Sequence, residues 1–338
     1  MCQNPLTAWR VPPKTNTFGY APQVTFGKIK GQLIRSPRSI TFRRSEGVTG
    51  TEMKIPCGKC PECRAALRRD WSHRIMQEAS CFDKVSFLTL TYNNDNLPLA
   101  DNGFPTLRKE HVQLFLKRLR KALGLRNTLI RFYCVGEYGS RYSRPHYHLI
   151  IFGEDFSYDR KIIRKNGRFY DYVSDTLSRL WPYGFHTVND FSNATARYIS
   201  GYVTKKLVDT DLPEGIAPGF HTMSLRRGIG YSWFERNWRN VFSPSSVRMV
   251  ISSDFTHHYT ARVPLTYWNW LKSIDEALYK ACKLYCYRMA MSMPERSLTE
   301  AVRVNRVLQN QIRKECRPFE TARPRTSEPI SCRQKEIR

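Results

Sequence analysis

The stretch that decides the fold is Pro145-His-Tyr-His-Leu-Ile-Ile-Phe152. Its aromatic and branched residues predict a β-strand over 146–152. Because alternate side chains of a strand point to the same face, His146 and His148 present two imidazoles side by side, while Tyr147 points to the opposite face. Two imidazoles at this spacing can hold a divalent metal ion when a further oxygen or nitrogen ligand is close.

Glu137 is the nearest candidate for that third ligand. A strand is predicted over 130–135, and the turn-rich segment 136–145 favours a hairpin that returns the chain along the histidine strand. Glu137 then lies at the histidine end of this hairpin, and a side chain from the strand predicted over 85–92 is the alternative ligand. An isolated His-x-His pair is more often two half-exposed histidines at a strand start, so a metal site needs further evidence.

A second group of polar side chains lies in a helix predicted over 193–207. On that helix Tyr198, Tyr202 and Lys205 fall on one stripe, so two phenols and an ammonium project from the same face. A tyrosine stripe usually packs in a core, but a lysine on it is unusual for a buried face. Gly201 weakens the helix and favours close approach of another backbone. Together with the histidine pair, these are the groups needed for a reaction in which a tyrosine hydroxyl attacks a phosphodiester beside a metal ion.

The charge balance of the chain favours a polyanionic partner. The 338 residues include 55 Lys and Arg against 29 Asp and Glu, a formal charge of +26. The 18 Tyr, 18 Phe and 7 Trp add rings on which unpaired bases stack, which favours single-stranded nucleic acid. No apolar run approaches the ~18–20 residues that span a bilayer, and residues 1–10 lack the apolar part of a signal peptide, so membrane insertion and export are disfavoured.

The cysteines are a further source of chemistry. Cys57, Cys60 and Cys63 stand at a spacing typical of zinc ligands, although a closed structural site needs four. The fourth ligand has three candidates: His73, Cys81 and Cys2. The alternative is three thiols at a helix start in a reducing cytoplasm, but structural Zn²⁺ is the favoured interpretation.

A helix predicted over 64–79 follows the cysteines directly. Its apolar residues recur four apart, which predicts one face packed against a core. The basic residues on its other positions, with one lysine after the tyrosine stripe, are expected to bind DNA: Arg64, Arg68, Arg69, Arg74 and Lys206.

These motifs resemble those of the HUH endonucleases of rolling-circle replication, and occur in that family's order. Phe87-Leu-Thr-Leu-Thr-Tyr92 is similar to the first motif, Pro145-His-Tyr-His148 to the HUH motif, and Tyr198-x-x-x-Tyr202-x-x-Lys205 to the nucleophile motif. The replication initiation proteins of microviruses of the Gokushovirinae type are the most similar members, because the cysteine segment also recurs in them. The resemblance covers about 55–207. One departure is that a tyrosine, not an aliphatic residue, separates the histidines.

The resemblance implies roles for the residues. His146, His148 and Glu137 would hold Mg²⁺ or Mn²⁺, Tyr198 and Tyr202 would be the two nucleophiles, and Lys205 would act near the scissile phosphate. The implied activity is nicking of single-stranded DNA at a phage origin, which leaves a 5′-phosphotyrosine link and a free 3′-OH, and later rejoining of the strands. Which tyrosine attacks first stays open.

The implied partners are single-stranded and replicative-form phage DNA, together with a host helicase and DNA polymerase in the cytoplasm of a bacterial host. A helicase from outside is expected because the sequence has no Walker A motif. No membrane is expected as a partner. Two alternatives remain: a transposase with the same chemistry, and a non-catalytic zinc protein that coats single-stranded DNA. The pair of tyrosines favours replication over the first, and the second leaves the histidines and the tyrosine stripe unexplained.

The expected fold is α+β, with a central antiparallel sheet of four or five strands. The histidines would lie on a middle strand, and the helices on one face, in an RRM-like or ferredoxin-like arrangement. The predicted domains are a basic N-terminal extension, the cysteine segment with its helix, the nuclease core, an aromatic and basic extension, and a helical basic C-terminal region with a disordered tail: 1–54, 55–82, 83–207, 208–270 and 271–338.

Overall fold

The computed structural model describes the residues 5–11, 40–124, 129–139, 143–166, 169–205, 212, 214–252 and 258–292. The chain divides into two compact units, Met1–Ala65 and Ala66–Arg338. Within the first unit, three strands form an antiparallel sheet of order β2-β1-β3: β1 (Leu6–Arg10), β2 (Ile40–Thr41) and β3 (Met53–Ile55). Within the described ranges, no helix combines the length and the hydropathy needed to cross a membrane.

The remaining elements are seven helices and eleven strands within the described residues. They are α1 (Pro61–Ala79), β4 (Val85–Tyr92), α2 (Lys109–Gly124), β5 (Arg131–Tyr138), β6 (Pro145–Phe152), β7 (Arg160–Asn166), β8 (Phe169–Ser174), α3 (Asp175–Leu180), β9 (Gly184–Asp190), α4 (Asn193–Lys205), β10 (Phe220–Met223), α5 (Tyr231–Val241), β11 (Phe242–Ser243), β12 (Ser246–Val247), β13 (Met249–Ser252), β14 (His258–Ala261), α6 (Leu265–Ile274) and α7 (Glu276–Ser292).

One antiparallel sheet of seven strands organises the second unit, in the order β10-β5-β6-β4-β9-β8-β7. This confirms the expected α+β fold with a central antiparallel sheet, and the histidine strand β6 is paired on both sides as expected. The sheet has more strands than the four or five predicted. Strands β7, β8 and β10 were missed. Charged residues dominate β7, the end of β8 was assigned to a helix, and β10 lies in a segment without a clear period.

Helices pack on both faces of the sheet, which corrects the expectation of helices on one face. On one face, Phe115 and Leu119 of α2 join the core that contains Leu149 of β6. On the other face, Ile199 of α4 packs in the core that contains Ile150. The uninterrupted apolar run 149–152 already carried this information, because strands buried on both faces do not alternate with polar residues.

One further expectation changes in detail, and two segments add to or lie outside the comparison. The helix predicted over 172–180 is shorter, because its first residues complete strand β8 and Ser174 caps α3 by accepting from the Leu177 N–H. Helices α5, α6 and α7 enclose a separate core around Phe234 and Leu271. A helix expected over 298–316 and the disordered tail lie outside the described residues.

Candidate active site

Strand register brings the predicted metal ligands together. Glu137 lies inside β5, two residues beyond the predicted end of that strand, and is paired directly with His146 of β6. His148 lies two residues further along β6 and pairs with Thr89 of β4 on its other side. Directly paired residues point to the same face of a sheet, so the carboxylate and both imidazoles face the same way.

The ligand atoms converge on a single point. One oxygen of Glu137, Oε1, lies 3.0 Å from Nε2 of His146 and 3.0 Å from Nε2 of His148. One ligand atom from each residue lies within 4.8 Å of the other two, and His148 is buried. Strand β4, the alternative source of the third ligand, contributes Thr89, whose hydroxyl lies 3.1 Å from Nδ1 of His148. Its role is therefore to orient a ligand.

The protonation chemistry of this group fits a bound cation. Nδ1 of His146 lies 3.1 Å from the carbonyl oxygen of Arg144, which only accepts, so Nδ1 carries the ring proton. In the neutral ring, Nε2 then directs a lone pair at the Glu137 carboxylate. Two electron-rich atoms at hydrogen-bond distance need a positive charge, supplied either by protonation or by a metal ion between them. Two imidazoles and a carboxylate form a donor set that divalent metal ions accept.

Helix α4 holds the two tyrosines over Glu137, His146 and His148, which together are called the metal-ligand group because they could hold a metal ion. The Tyr198 and Tyr202 hydroxyls are hydrogen-bonded to each other, and Tyr202 also bonds to the carboxylate of Glu137. The Tyr202 ring stacks on His148 with centroids 5.4 Å apart, and the Tyr198 ring meets it edge-on at 5.3 Å. Burial raises the pKa of Tyr198, and burial with the negative charge of Glu137 raises the pKa of Tyr202. Both phenols are therefore held in their protonated form by the protein alone.

A side chain of α1 fixes the position of α4. Arg68 Nε donates to the carbonyl of Arg197 at 3.2 Å, and the guanidinium lies 3.4 Å from where a Cβ on Gly201 would stand. The close neighbour expected at Gly201 is thus an arginine side chain and not a backbone. Lys205 is the last residue of α4, its side chain is outside the described part of the chain, and Lys206 lies outside the described residues.

Behind the histidines, Tyr147 faces the opposite core and is fully buried, as the alternation predicted. Its hydroxyl accepts from the Arg108 N–H at 2.8 Å, donates to the Arg108 carbonyl at 2.9 Å, and lies 2.8 Å from the Tyr92 hydroxyl. The alternation of side chains along the strand predicted the orientation of Tyr147, whereas its hydrogen-bond partners come from distant parts of the chain. These hydrogen bonds connect β6, the strand that carries the histidines, to the segment that precedes α2.

The basic residues of α1 do not form one surface. Arg69 is exposed, Arg64 is half-buried, and Arg68 is engaged with α4. Arg74 is only 8% exposed, its Nε donates to the Ile229 carbonyl at 3.0 Å, and its guanidinium lies 4.1 Å from the centre of the Trp71 ring. This corrects the prediction that Arg74 contacts DNA, because the residue is used in packing.

A buried ion pair was missed entirely. Glu78 is 0% exposed, pairs with Arg131 and accepts from the Gly230 N–H at 2.6 Å. Arg131 also donates to the carbonyl of Arg227 at 2.6 Å. The network joins α1, β5 and the chain before α5.

The three cysteines of the first unit are close together. The ligand atoms of Cys57, Cys60 and Cys63 lie within 4.8 Å of one another, and the Cys60 N–H donates to Cys57 Sγ at 3.3 Å. Three thiolates at this separation fit a zinc ion. Of the candidate fourth ligands, Cys2 lies outside the described residues, and His73 and Cys81 belong to the second unit.

Comparison with known proteins adds independent information. Residues 85–207 match the family of replication-associated protein ORF2. The chain is 32% identical over 203 residues to the replication-associated protein ORF2 of Spiroplasma virus 4, and 34% identical over 159 residues to the replication-associated protein ORF4 of Chlamydia phage 1. It is 29% identical over 226 residues to the replication-associated protein VP4 of Bdellovibrio phage phiMH2K. No solved structure matches the chain.

These similarities cover part of each protein. The matched segments span 59%, 46% and 64% of this chain, and 62%, 39% and 67% of the three relatives in the same order. The family match contains β5, β6 and α4, the elements that carry Glu137, the two histidines and the two tyrosines. The resemblance inferred from the motifs, to replication proteins of the microvirus type, is confirmed.

Proposed function

We propose that this chain, whose residues 85–207 match the replication-associated ORF2 family, initiates rolling-circle replication of a phage genome by nicking single-stranded DNA. The observation that carries the proposal is the convergence of Glu137, His146 and His148 beneath two tyrosine hydroxyls on one face of a rigid sheet. A protein that only coats DNA has no use for this arrangement. The relatives are replication-associated proteins, which favours replication over transposition.

The chain's own residues supply the nucleophile and its orientation. The phenol of Tyr198 or Tyr202 gives up its proton to solvent as its oxygen attacks the phosphorus, and the bond from phosphorus to the 3′ oxygen breaks. That oxygen keeps the electron pair of the broken bond and takes up a proton from solvent to become the 3′-OH. The 5′ phosphate is then esterified to tyrosine, and reversal of the step by a 3′-OH rejoins the strand. Mg²⁺ or Mn²⁺ held by Glu137, His146 and His148 would stabilise negative charge on the phosphate.

The two tyrosines differ in access. Tyr198 is 46% exposed, whereas Tyr202 is half-buried against Glu137. We propose that each tyrosine attacks in turn. Their hydroxyls are hydrogen-bonded to each other, so a phosphate that reaches one hydroxyl lies close to the other. Lys205, three residues after Tyr202, is proposed to act on the same phosphate.

The test is covalent capture of DNA. A pool of single-stranded oligonucleotides with a randomised central segment is incubated with the protein and Mn²⁺, or with EDTA, and adducts that resist denaturation are isolated and sequenced. We expect adducts only with metal, and a shared sequence at the cut. Each single variant, Tyr198→Phe and Tyr202→Phe, should retain some adduct, and the double variant none. Tyr287→Phe, changed at a residue 63% exposed on α7, is the matched control.

Two results contradict the proposal: no adduct with the wild-type protein, or an adduct that persists in the double tyrosine variant. Replacing His146 and His148 together by Ala should abolish the adduct and leave most of the salt-dependent DNA binding. Loss of binding to the same extent would instead assign the histidines a purely structural role.

Partners and location follow as parts of the same proposal. The DNA would be the single-stranded and replicative forms of the phage genome, in the cytoplasm of the bacterial host. Unwinding and synthesis would come from the host helicase and DNA polymerase, because the sequence contains no Walker A motif. A structural Zn²⁺ on Cys57, Cys60 and Cys63 would hold the segment that leads into the arginine-bearing helix.

A further inference from the structure

An exposed aromatic ring lies in the same row of the sheet as the metal-ligand group. Thr91 of β4 pairs with His146 on one side and with Phe185 of β9 on the other. Glu137, His146, Thr91 and Phe185 therefore form one row across four adjacent strands, and all four side chains point to the same face. Two steps between antiparallel strands separate His146 from Phe185, about 10 Å between their Cα atoms.

The side chain of Phe185 is open to solvent, although the residue next to it on the strand is buried. Its side chain is 68% exposed, whereas the next residue on the strand, His186, is buried with Nε2 accepting from the Ser174 N–H at 3.0 Å. On its own face Phe185 is accompanied by half-exposed hydroxyls, those of Thr91 and Thr187. This part of the sheet thus presents an apolar ring among polar groups that can hydrogen-bond.

The backbone beneath Phe185 is held rigidly. Gly184 has φ of +152°, and a Cβ there would lie 2.2 Å from the backbone nitrogen of Asn93, so only glycine allows the two chains to approach this closely. The indole of Trp181, which is fully buried, donates to the Thr91 carbonyl at 3.1 Å. On a fixed backbone, a phenylalanine has only two side-chain torsions to lose when a planar ligand stacks on its ring.

A positively charged side chain, that of Arg144, lies at the same end of the sheet. Arg144 donates to the Tyr92 carbonyl at 2.7 Å and to the side-chain oxygen of Asn94 at 2.5 Å. Tyr92 is paired with Gly184, the residue before Phe185. Neither of these acceptors neutralises the positive charge of Arg144, which a phosphate at this end of the sheet can contact.

We propose that Phe185 is a base-stacking residue for the single-stranded DNA next to the scissile phosphate. The inference rests on the proposed function and deepens it, because it names the surface that the flanking nucleotides occupy. An exposed ring, adjacent hydroxyls and an arginine are the groups that hold unpaired nucleotides by stacking and phosphate contact. The row of paired residues makes this surface continuous with the metal-ligand group.

The test measures binding without cleavage. Fluorescein-labelled oligothymidylate is titrated in EDTA and at raised salt, where phosphate contacts are weakened and stacking contributes a larger share. Phe185→Ala should weaken binding about 5- to 150-fold. Phe185→Tyr, which keeps a ring, should bind like the wild type, and so should Tyr287→Ala, the control at a residue exposed to a similar extent.

A second readout locates the contact. Oligothymidylate carrying 5-iododeoxyuridine cross-links on irradiation to aromatic rings that stack on it, and the cross-linked peptide should contain Phe185. If Phe185→Ala binds as tightly as Tyr287→Ala, the inference is overturned even when covalent adducts form. If the ring dependence is observed but no adduct forms with metal, the stacking surface stands and the proposed nicking activity fails.

Discussion

The hydrogen bond between Thr89 and His148 allows a demanding test of the metal-ligand group. In the metal-binding tautomer, Nδ1–H of His148 donates to the Thr89 hydroxyl, 3.1 Å away, and leaves Nε2 to the metal. Thr89→Val removes the acceptor and keeps the shape of the side chain. The ring of His148 then loses the contact that sets its tautomer and rotation.

Two estimates set a lower and an upper limit on how far Thr89→Val should weaken Mn²⁺ binding. Loss of one such hydrogen bond alone is worth about 1 kcal/mol, close to a fivefold change in an equilibrium constant. Loss of the group that orients a ligating histidine weakens metal affinity by about 10- to 100-fold. We therefore expect the Mn²⁺ concentration for half-maximal adduct formation to rise about 10-fold or more, with the maximum rate at saturating Mn²⁺ retained.

The assay is a Mn²⁺ titration of covalent adduct formation with an oligonucleotide cut by the wild-type protein. Thr89→Ser, which restores an acceptor, should return the midpoint towards the wild-type value. The reasoning is refuted if the Mn²⁺ midpoint of Thr89→Val is unchanged, or if the lost rate is not recovered at any Mn²⁺ concentration. Thermal unfolding should show that both variants fold.

Three other predictions concern stability and the cysteines. Arg131→Met leaves the carboxylate of Glu78 buried without its ion partner, so the free energy of unfolding in urea should fall by about 3–5 kcal/mol, and adding Glu78→Gln should recover part of the loss. Burial lowers the pKa of His73 to about 4, so the unfolded chain binds a proton at this residue more readily than the folded protein does. The free energy of unfolding should therefore fall by up to about 3 kcal/mol as the pH drops from 6.5 to 4. His73→Gln should reduce this dependence on pH. Cys60→Ser should deplete zinc measured in the purified protein, whereas Cys282→Ser, changed at a buried cysteine in another core, should not.

The elements with local signals were predictable from the sequence. The apolar run after His148 specified an interior strand, and the spacing of Tyr198 and Tyr202 specified a helical stripe. Glu137 was found because a short turn-rich connection between two strands forces them to pair. Each of these inferences depends on residues that lie close together along the chain.

The features that were missed depend on contacts between distant residues. Glu78 and Arg131 are 53 positions apart, and no periodicity reveals that they meet. Arg74 was assigned to DNA because it lies off the apolar stripe of its helix, but the ring of Trp71 and the carbonyl of Ile229 give it a buried environment. Burial of a charge is decided by its tertiary partners, which a single sequence does not display.

Strand β10 has a practical consequence for anyone who wishes to isolate the segment that carries the candidate active site. It pairs with β5 from Phe220↔Gly136 to Met223↔Tyr133, and so covers the outer edge of the strand that carries Glu137. The segment 85–207, which looks like a complete domain by family similarity, excludes it. Cutting the chain at 207 would expose a row of unpaired backbone N–H and carbonyl groups, a surface that recruits other chains into β-aggregates. The smallest soluble piece should therefore extend past β10.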